Sequence, residues 1–470
     1  MKPTIEQEKI IDFINTRKED LKISAFAGTG KTSTLKMIAN SNLSKSFLYL
    51  AYNKDIQVSA VKSFPKNVYC ITYHALARRA MQIDRCKYKD KLMNKIKQSE
   101  VIKLLGLNSN RSINPYQLLP CIKKTVNNFK ISSDIKIGTS HVDIDEIMNI
   151  SSVPSEQKLL IEFIVEKSKK LWQLEVSQES NFPIDHDTYV KMWQLSGAKI
   201  EVDCILFDEA QDANPVVLDI ISQQKTRKIY VGDHHQKIYA WRGAVNAMQE
   251  IEASELSLTQ SFRFGPAVAE IANKILAMKG ENRKLLGFEK IDSKVQDLDE
   301  SKPFTCVCRT NAEVFSLAIH YSSEGKKISI CGGIGDFILR CKSAYYLFAG
   351  KNHLIEFYEY KKFQNWNEFV EVARFNAESN SVCKIIKKYE HNILSFLDKF
   401  ESFLVKDHEA DVLLCTAHKS KGLEWDQVCL GGDYSFKEED ELNLVYVACT
   451  RAREILKLSD KFRKNLKIKM

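Results

Sequence analysis

Eight residues near the N-terminus carry the plainest chemistry. Ala25-Phe26-Ala27-Gly28-Thr29-Gly30-Lys31-Thr32 follows a short apolar run and precedes a helical pattern, which is the context of a loop that wraps phosphates. Backbone N–H groups at the glycines can approach phosphate oxygens, the helix N-terminus adds positive potential, and the Lys31 ammonium reaches the terminal phosphates. The Thr32 hydroxyl is then placed to ligate magnesium. A second constellation lies far downstream, where Ile205-Leu206-Phe207-Asp208-Glu209 sets two acids at the end of a buried-strand pattern. In phosphoryl transfer the first acid holds magnesium, and the second orients or deprotonates the attacking water. Two acids after a strand are commonly a solvated edge. Lys31 and Thr32 upstream, with Gln211-Asp212 directly behind, favour the chemical reading.

These residues need a parallel sheet to position them. Apolar spacing at Ile5, Ile10, Ile11, Phe13 and Ile14 predicts an opening helix, followed by strands over 22–26, 46–51 and 68–72, each with a polar or basic segment behind it. From about Arg78 to Lys199 the pattern turns helical and basic, and strands resume over 204–207 and 228–231. One sheet interrupted by a helical insertion is expected. After about Ser293 the logic repeats, with strands over 304–308 and 327–331, helical sequence from Gly335 to Lys406, and a strand over 411–416.

A chain of 470 residues allows roughly three folding units of ordinary size. Hydrophobic residues at 44% and charged residues at 27% exclude a disordered or low-complexity chain. No run of about 18 apolar residues and no apolar N-terminal stretch is present, so neither a membrane partner nor a signal peptide is expected. The twelve cysteines are scattered without a Cys-x-x-Cys pair, which reads as buried small hydrophobes in a reducing compartment. Lys and Arg outnumber Asp and Glu by 69 to 60 overall, and by 14 to 7 between Arg78 and Ile150. That surplus suits a phosphate backbone, or a solvated helical face. Lys87, Lys89 and Lys91 are the candidates for a duplex contact.

Further segments make the pattern specific. Asp208-Glu209-Ala210-Gln211-Asp212 and Gly232-Asp233-His234-His235-Gln236-Lys237-Ile238-Tyr239-Ala240-Trp241-Arg242-Gly243 resemble the UvrD/Rep-like helicases of superfamily 1. Ala51-Tyr52-Asn53-Lys54, Thr72-Tyr73-His74, Gln260-Ser261-Phe262-Arg263, the run from Thr416 to Asp426, and Val447-Ala448-Cys449-Thr450-Arg451-Ala452-Arg453 resemble further family motifs in the family's order, so the resemblance runs from Gln7 to Arg453. The wording of the phosphate loop and the segment Asn181-Phe182-Pro183-Ile184-Asp185-His186-Asp187 is most similar to the helicase part of the F-box DNA helicases.

The resemblance implies an α/β fold of two RecA-like parallel-sheet motor domains, each with a helical insertion. The expected pieces are 1–77 and 200–292 for the first domain with its insertion at 78–199, and 293–349 and 407–470 for the second with a short insertion at 350–406. It implies ATP and Mg2+ in a cleft between the motors. Lys31, Asp208, Glu209, Gln236, Arg263 and Arg451 would be catalytic, with Gln236 sensing the γ phosphate and both arginines stabilising charge on the transferring group. Nucleotide binding would fall to Gln7, Ala27, Gly28, Thr29, Gly30, Lys31, Thr32, Ser33, Phe262 and Glu424. Gln7 would read the adenine edge, Phe262 would stack on the base and Glu424 would contact the ribose, while Ser33 stands where many relatives carry arginine. Thr32 and Asp208 would hold the metal.

Tyr52, Asn53, Lys54, His74, Trp241, Arg309, Asn311 and His418 would grip single-stranded DNA, by stacking and by donors to phosphate. The implied activity is a helicase or translocase on single-stranded DNA and single/double-strand junctions, running 3′ to 5′, with repair or recombination proteins as further partners. It would act in the cytoplasm if bacterial or viral, and in the nucleus if eukaryotic. A protein-stripping translocase, or a motor subunit of a larger repair or defence complex with little unwinding alone, is the alternative.

Overall fold

The computed structural model describes residues 2–107, 113–239, 247–361, 363–374 and 377–468. The chain divides into two compact units, Met1–Ala25 with Lys31–Leu258, and Phe26–Gly30 with Thr259–Met470. Each is built on one all-parallel sheet, and together they are the two RecA-like domains of the expected α/β fold.

In the first unit the strands are β1 (Leu21–Ala25), β2 (Phe47–Ala51), β3 (Val68–Thr72), β4 (Cys204–Phe207), β5 (Arg227–Gly232) and β6 (Ser254–Leu258). They lie in the order β3-β2-β4-β5-β1-β6. Every residue of β2 and β4 is buried, as expected for strands covered on both faces, whose sequences read as continuous apolar runs. One face packs with the opening helix Ile5–Thr16 through Ile10 and Ile14, and the other with Val216, Ile220, Tyr189 and Trp193. β6 is absent from the sequence reading because Ser254-Glu255-Leu256-Ser257-Leu258 is half polar and sits at the sheet edge, where one side needs no apolar cover.

The insertion between β3 and β4 has a core of its own. Val101, Leu118, Ile122, Phe129, Ile147, Ile164 and Leu171 bury against one another, with Trp172 edge-on to Phe129 at 5.4 Å. Three buried lysines staple it. Lys91 donates to the carbonyls of Leu174, Glu175 and Ser177 at 3.1, 2.6 and 2.8 Å, at the C-terminal end of the helix Pro154–Val176. Lys191 donates to the carbonyls of Ser132 and Asp134 just past the helix Pro115–Ile131. Cations at these ends meet unsatisfied carbonyls and the negative end of the helix dipole. Lys130 pairs with Glu175 at 2.8 Å and Asp185 at 2.7 Å. Part of the basic surplus is therefore spent inside. Lys91, proposed above as a duplex contact, is 1% exposed and cannot serve as one, whereas Lys87 and Lys89 are exposed.

The second unit carries β7 (Phe304–Cys308), β8 (Ile328–Ile330), β9 (Val412–Thr416), β10 (Trp425–Leu430) and β11 (Ala452–Lys457) in the order β11-β10-β7-β9-β8. Its insertion differs from the first. Phe369, Val382, Ile386, Leu397 and Phe400 join Cys306, Cys308, Val314 and Leu414 in one core, so the helices after residue 350 are an extension of the sheet's own packing. Residues 259–292, expected in the first domain, group with the second. The reason is packing, since the helix Pro266–Met278 lies against the helix Glu439–Cys449 and β11. All twelve cysteines are unpaired thiols, nine of them buried.

Candidate nucleotide and nucleic-acid site

In a parallel sheet, the carboxyl ends of the strands are where ligands are met. In the first unit β1 leads to Lys31 and Thr32, β4 to Asp208 and Glu209, and β5, lying between those two strands, to Asp233 and Gln236. Lys31 opens the helix Lys31–Asn40, and its ammonium lies 3.1 Å from Glu209 Oε1. Burial works against that charge, but Glu209, Asp233 and Asp208 outweigh it and raise the Lys31 pKa above its ordinary value. The Thr32 hydroxyl donates to Asp208 Oδ2 at 3.1 Å. Burial, and then repulsion from Glu209, raise the Asp208 pKa against the pull of Lys31 and a hydrogen bond from Tyr49.

Three residues that the sequence reading gave no role complete this group. The Tyr49 hydroxyl donates to Asp208 Oδ2 at 2.6 Å from the middle of β2. Gln211, fully buried, donates to Glu209 Oε2 and accepts the Asp233 backbone N–H at 3.0 Å. Asp233 accepts the Gln236 amide at 2.7 Å and faces Lys31. Gln211 and Asp233 lie within recognisable motifs, where a signal for them exists in the sequence. Tyr49 left no signal, since an aromatic in an apolar strand reads as core. Glu209 sits at φ 52°, a left-handed conformation that few side chains adopt, and Lys31 and Gln211 hold its carboxylate there.

Gln7 is 3% exposed and forms a capping box with Thr4, accepting Thr4 N–H at 3.0 Å while its amide donates to the Thr34 hydroxyl at 3.0 Å. Tyr52 stacks on Tyr239 with centroids 5.6 Å apart and 20° between planes. Asn53 caps the helix Lys54–Ser63 by accepting Ile56 N–H at 2.9 Å, and Lys54 is exposed. His74 Nε2 lies 3.2 Å from Asp187 of the insertion. Trp241 lies outside the described residues.

Within the second unit, Gly28 and Gly30 have φ of 73° and 79°, and the loop that holds them is anchored at both backbone groups. Ala27 N–H donates to the Tyr446 hydroxyl at 3.1 Å, and Gly28 O accepts Phe262 N–H at 2.8 Å. A Cβ on Gly28 would fall 2.5 Å from Ser261 Oγ. Thr29 is 1% exposed, its hydroxyl donating to Phe26 O at 2.9 Å. Arg263 donates to Glu424 Oε2 at 2.7 Å and to Thr450 O at 3.2 Å. Arg451 is 1% exposed and donates to Val447 O at 2.8 Å, Leu423 O at 3.1 Å and Thr450 Oγ1 at 3.2 Å. Three separated motifs thus close on one another through Arg263, Glu424 and Arg451.

Two of the nucleic-acid candidates of this unit, Arg309 and Asn311, are engaged by acids. Arg309 makes a two-pronged bond to Glu441 at 2.8 to 3.0 Å, and Asn311 donates to Glu378 at 2.9 Å. His418 is half-buried on the short helix Ala417–Ser420. Among the described residues no helix is long and apolar enough to cross a membrane.

Comparison with known proteins shows the family of the chain. The chain is 33% identical to F-box DNA helicase protein 1 of Schizosaccharomyces pombe, over 97% of this chain and 57% of that protein. It is 32% identical to F-box DNA helicase 1 of Gallus gallus, over 98% of this chain and 49% of that protein. It therefore spans about half the length of those relatives. A probable DNA helicase of Mycoplasma pneumoniae is 26% identical over 54% of this chain. The family model described as the UvrD-like helicase C-terminal domain matches residues 33–461, and with nearly the whole chain so accounted for, this protein belongs to the UvrD-like helicase family.

Proposed function

We propose that this chain is an ATP-driven motor that moves 3′ to 5′ on single-stranded DNA and unwinds duplex at single/double-strand junctions, in repair or recombination. The observation that carries the reading is the Lys31–Glu209 ion pair beside the Thr32–Asp208 hydrogen bond, at the ends of β1 and β4. Thr32 and Asp208 offer oxygen donors of the kind that a small hard cation takes, so they fit magnesium. When bound, magnesium supplies neutralisation of the charge on phosphate oxygens. Lys31 pairs with Glu209 at 3.1 Å, so its engagement by a phosphate would weaken that pair and favour Glu209 as a base toward water. Gln211 and Asp233 keep Glu209 and Gln236 in register meanwhile. Arg263 and Arg451 are proposed to stabilise the transferring charge, Phe262 and Gln7 to receive the base, and Glu424 the ribose.

Steady-state ATPase, with and without single-stranded DNA, on the wild type and on Lys31→Ala tests the proposal. Stimulation by DNA that is lost in the variant is expected. No hydrolysis with any nucleic acid would overturn it. The second reading, a translocase or motor subunit with little unwinding alone, draws on the second insertion, which packs into its own sheet's core instead of forming a separate body. A tailed-duplex unwinding assay separates the two. The nucleus is the proposed place of action in a eukaryote and the cytoplasm in a bacterium or virus.

A further inference from the structure

Phe262 lies in an irregular segment, Thr259 to Gly265, with no helix or strand to set its ring. A second segment, Leu285 to Ile291, runs alongside and supplies that constraint. Leu286 N–H donates to Thr259 O at 2.9 Å, Ser261 N–H to Leu286 O at 2.8 Å, and Phe288 N–H to Phe264 O at 2.8 Å. The Gln260 amide donates to Gly287 O at 2.9 Å. Asn273, on the helix Pro266–Met278, pins the far end by accepting Leu285 N–H at 2.9 Å and donating to Leu285 O at 2.8 Å. Where the two segments cross, both backbones carry glycine. A Cβ on Gly287 would overlap the backbone of Gly265, and one on Gly265 would overlap the Ile291 carbonyl. Both glycines are therefore required by space.

The crossing brings two rings together. Phe288 meets Phe262 edge to face, with centroids 5.5 Å apart and 62° between planes. Phe262 N–H is already fixed to Gly28 O at 2.8 Å, so the backbone is held by the phosphate loop and the ring by Phe288. Phe262 and Phe288 are both half-buried residues, so Phe262 is not sealed from a ligand.

We propose that Phe288 is a positioning residue for the nucleobase: it holds the Phe262 ring in the orientation that takes a stacked adenine. It sets base affinity without contacting phosphate. The proposal rests on the nucleotide reading above and adds a residue outside every motif that supports that reading.

The test compares the wild type with Phe288→Leu, the milder Phe288→Met and Phe288→Tyr. Dissociation constants are measured for ATP and for inorganic tripolyphosphate, which lacks a base, alongside KM and kcat for ATP. In the leucine and methionine variants the ATP dissociation constant and KM should rise about fivefold, the size expected for removing one edge-to-face aromatic pair. Tripolyphosphate binding and kcat should hold, and tyrosine should restore ATP binding. Unchanged ATP affinity in both variants would overturn the proposal, and so would a parallel loss for ATP and tripolyphosphate, which marks general disruption. A wild type that binds ATP no more tightly than tripolyphosphate would overturn it together with the role given to Phe262. A wild type that binds ATP tightly without hydrolysing it would sink the motor reading alone, and the binding data would still decide the role of Phe288.

Discussion

At the scale of single residues, the phosphate end of the site is held by opposed charges that are largely buried. Glu209 neutralises Lys31, and Tyr49 and Thr32 both donate to Asp208. Glu209→Gln keeps the shape and removes the base, so kcat should fall by about 10²- to 10⁴-fold while ATP binding persists; parallel ATPase and equilibrium binding measurements check this. Tyr49→Phe takes one donor from Asp208 without moving the backbone. The magnesium requirement should rise about tenfold, as losses of a partner behind a metal ligand do, in a magnesium titration of ATPase rate. Gln7 is the residue whose environment constrains its role most. Its amide already serves Thr4 and Thr34, so reading a base must use the remaining N–H and lone pair.

At the scale of elements, the insertion of the first unit depends on buried lysines. Lys130 is 2% exposed on its side chain and sits between Glu175 and Asp185. Lys130→Ala should cost about 3–5 kcal/mol in a urea melt, because Glu175 is left buried without its cation. Lys130→Met combined with Glu175→Gln should recover part of that loss. Lys191 gives a pH signature. Burial pushes its ammonium down to about 8, against the pull of Asp134 and Asp219. An unfolded lysine keeps its proton up to its ordinary, higher pKa, so between about pH 8 and that value the unfolded chain binds more protons and folding gains stability as pH rises. The penalty is fully present below pH 8. The wild type should therefore gain melting temperature relative to Lys191→Met between pH 8 and pH 10.

At the scale of the whole molecule, the basic surplus separates into an internal and an external share. Lys91 belongs to the first, and its charge reversal should unfold the insertion. Lys87 and Lys89 belong to the second. If they meet a duplex, reversing them should flatten the slope of log affinity against log salt by roughly 0.9 for each phosphate that is no longer neutralised, read from binding curves across a salt series. Eight of the eleven strands among the described residues, the phosphate loop, the paired acids and the family were legible in the sequence, whereas β10 and β11 were not. Each legible feature is local: a periodicity, a turn that needs glycine, or a spacing along one stretch of chain. The polar edge strand β6, the grouping of residues 259–292 with the second unit, the burial of Lys91, Lys130 and Lys191, and the engagement of Arg309 by Glu441 and of Asn311 by Glu378 were not legible. Each depends on a partner distant in sequence. Whether a charge is solvated or spent, and whether an aromatic is core or site, is decided by what tertiary packing places against it, and a one-dimensional pattern does not carry that information.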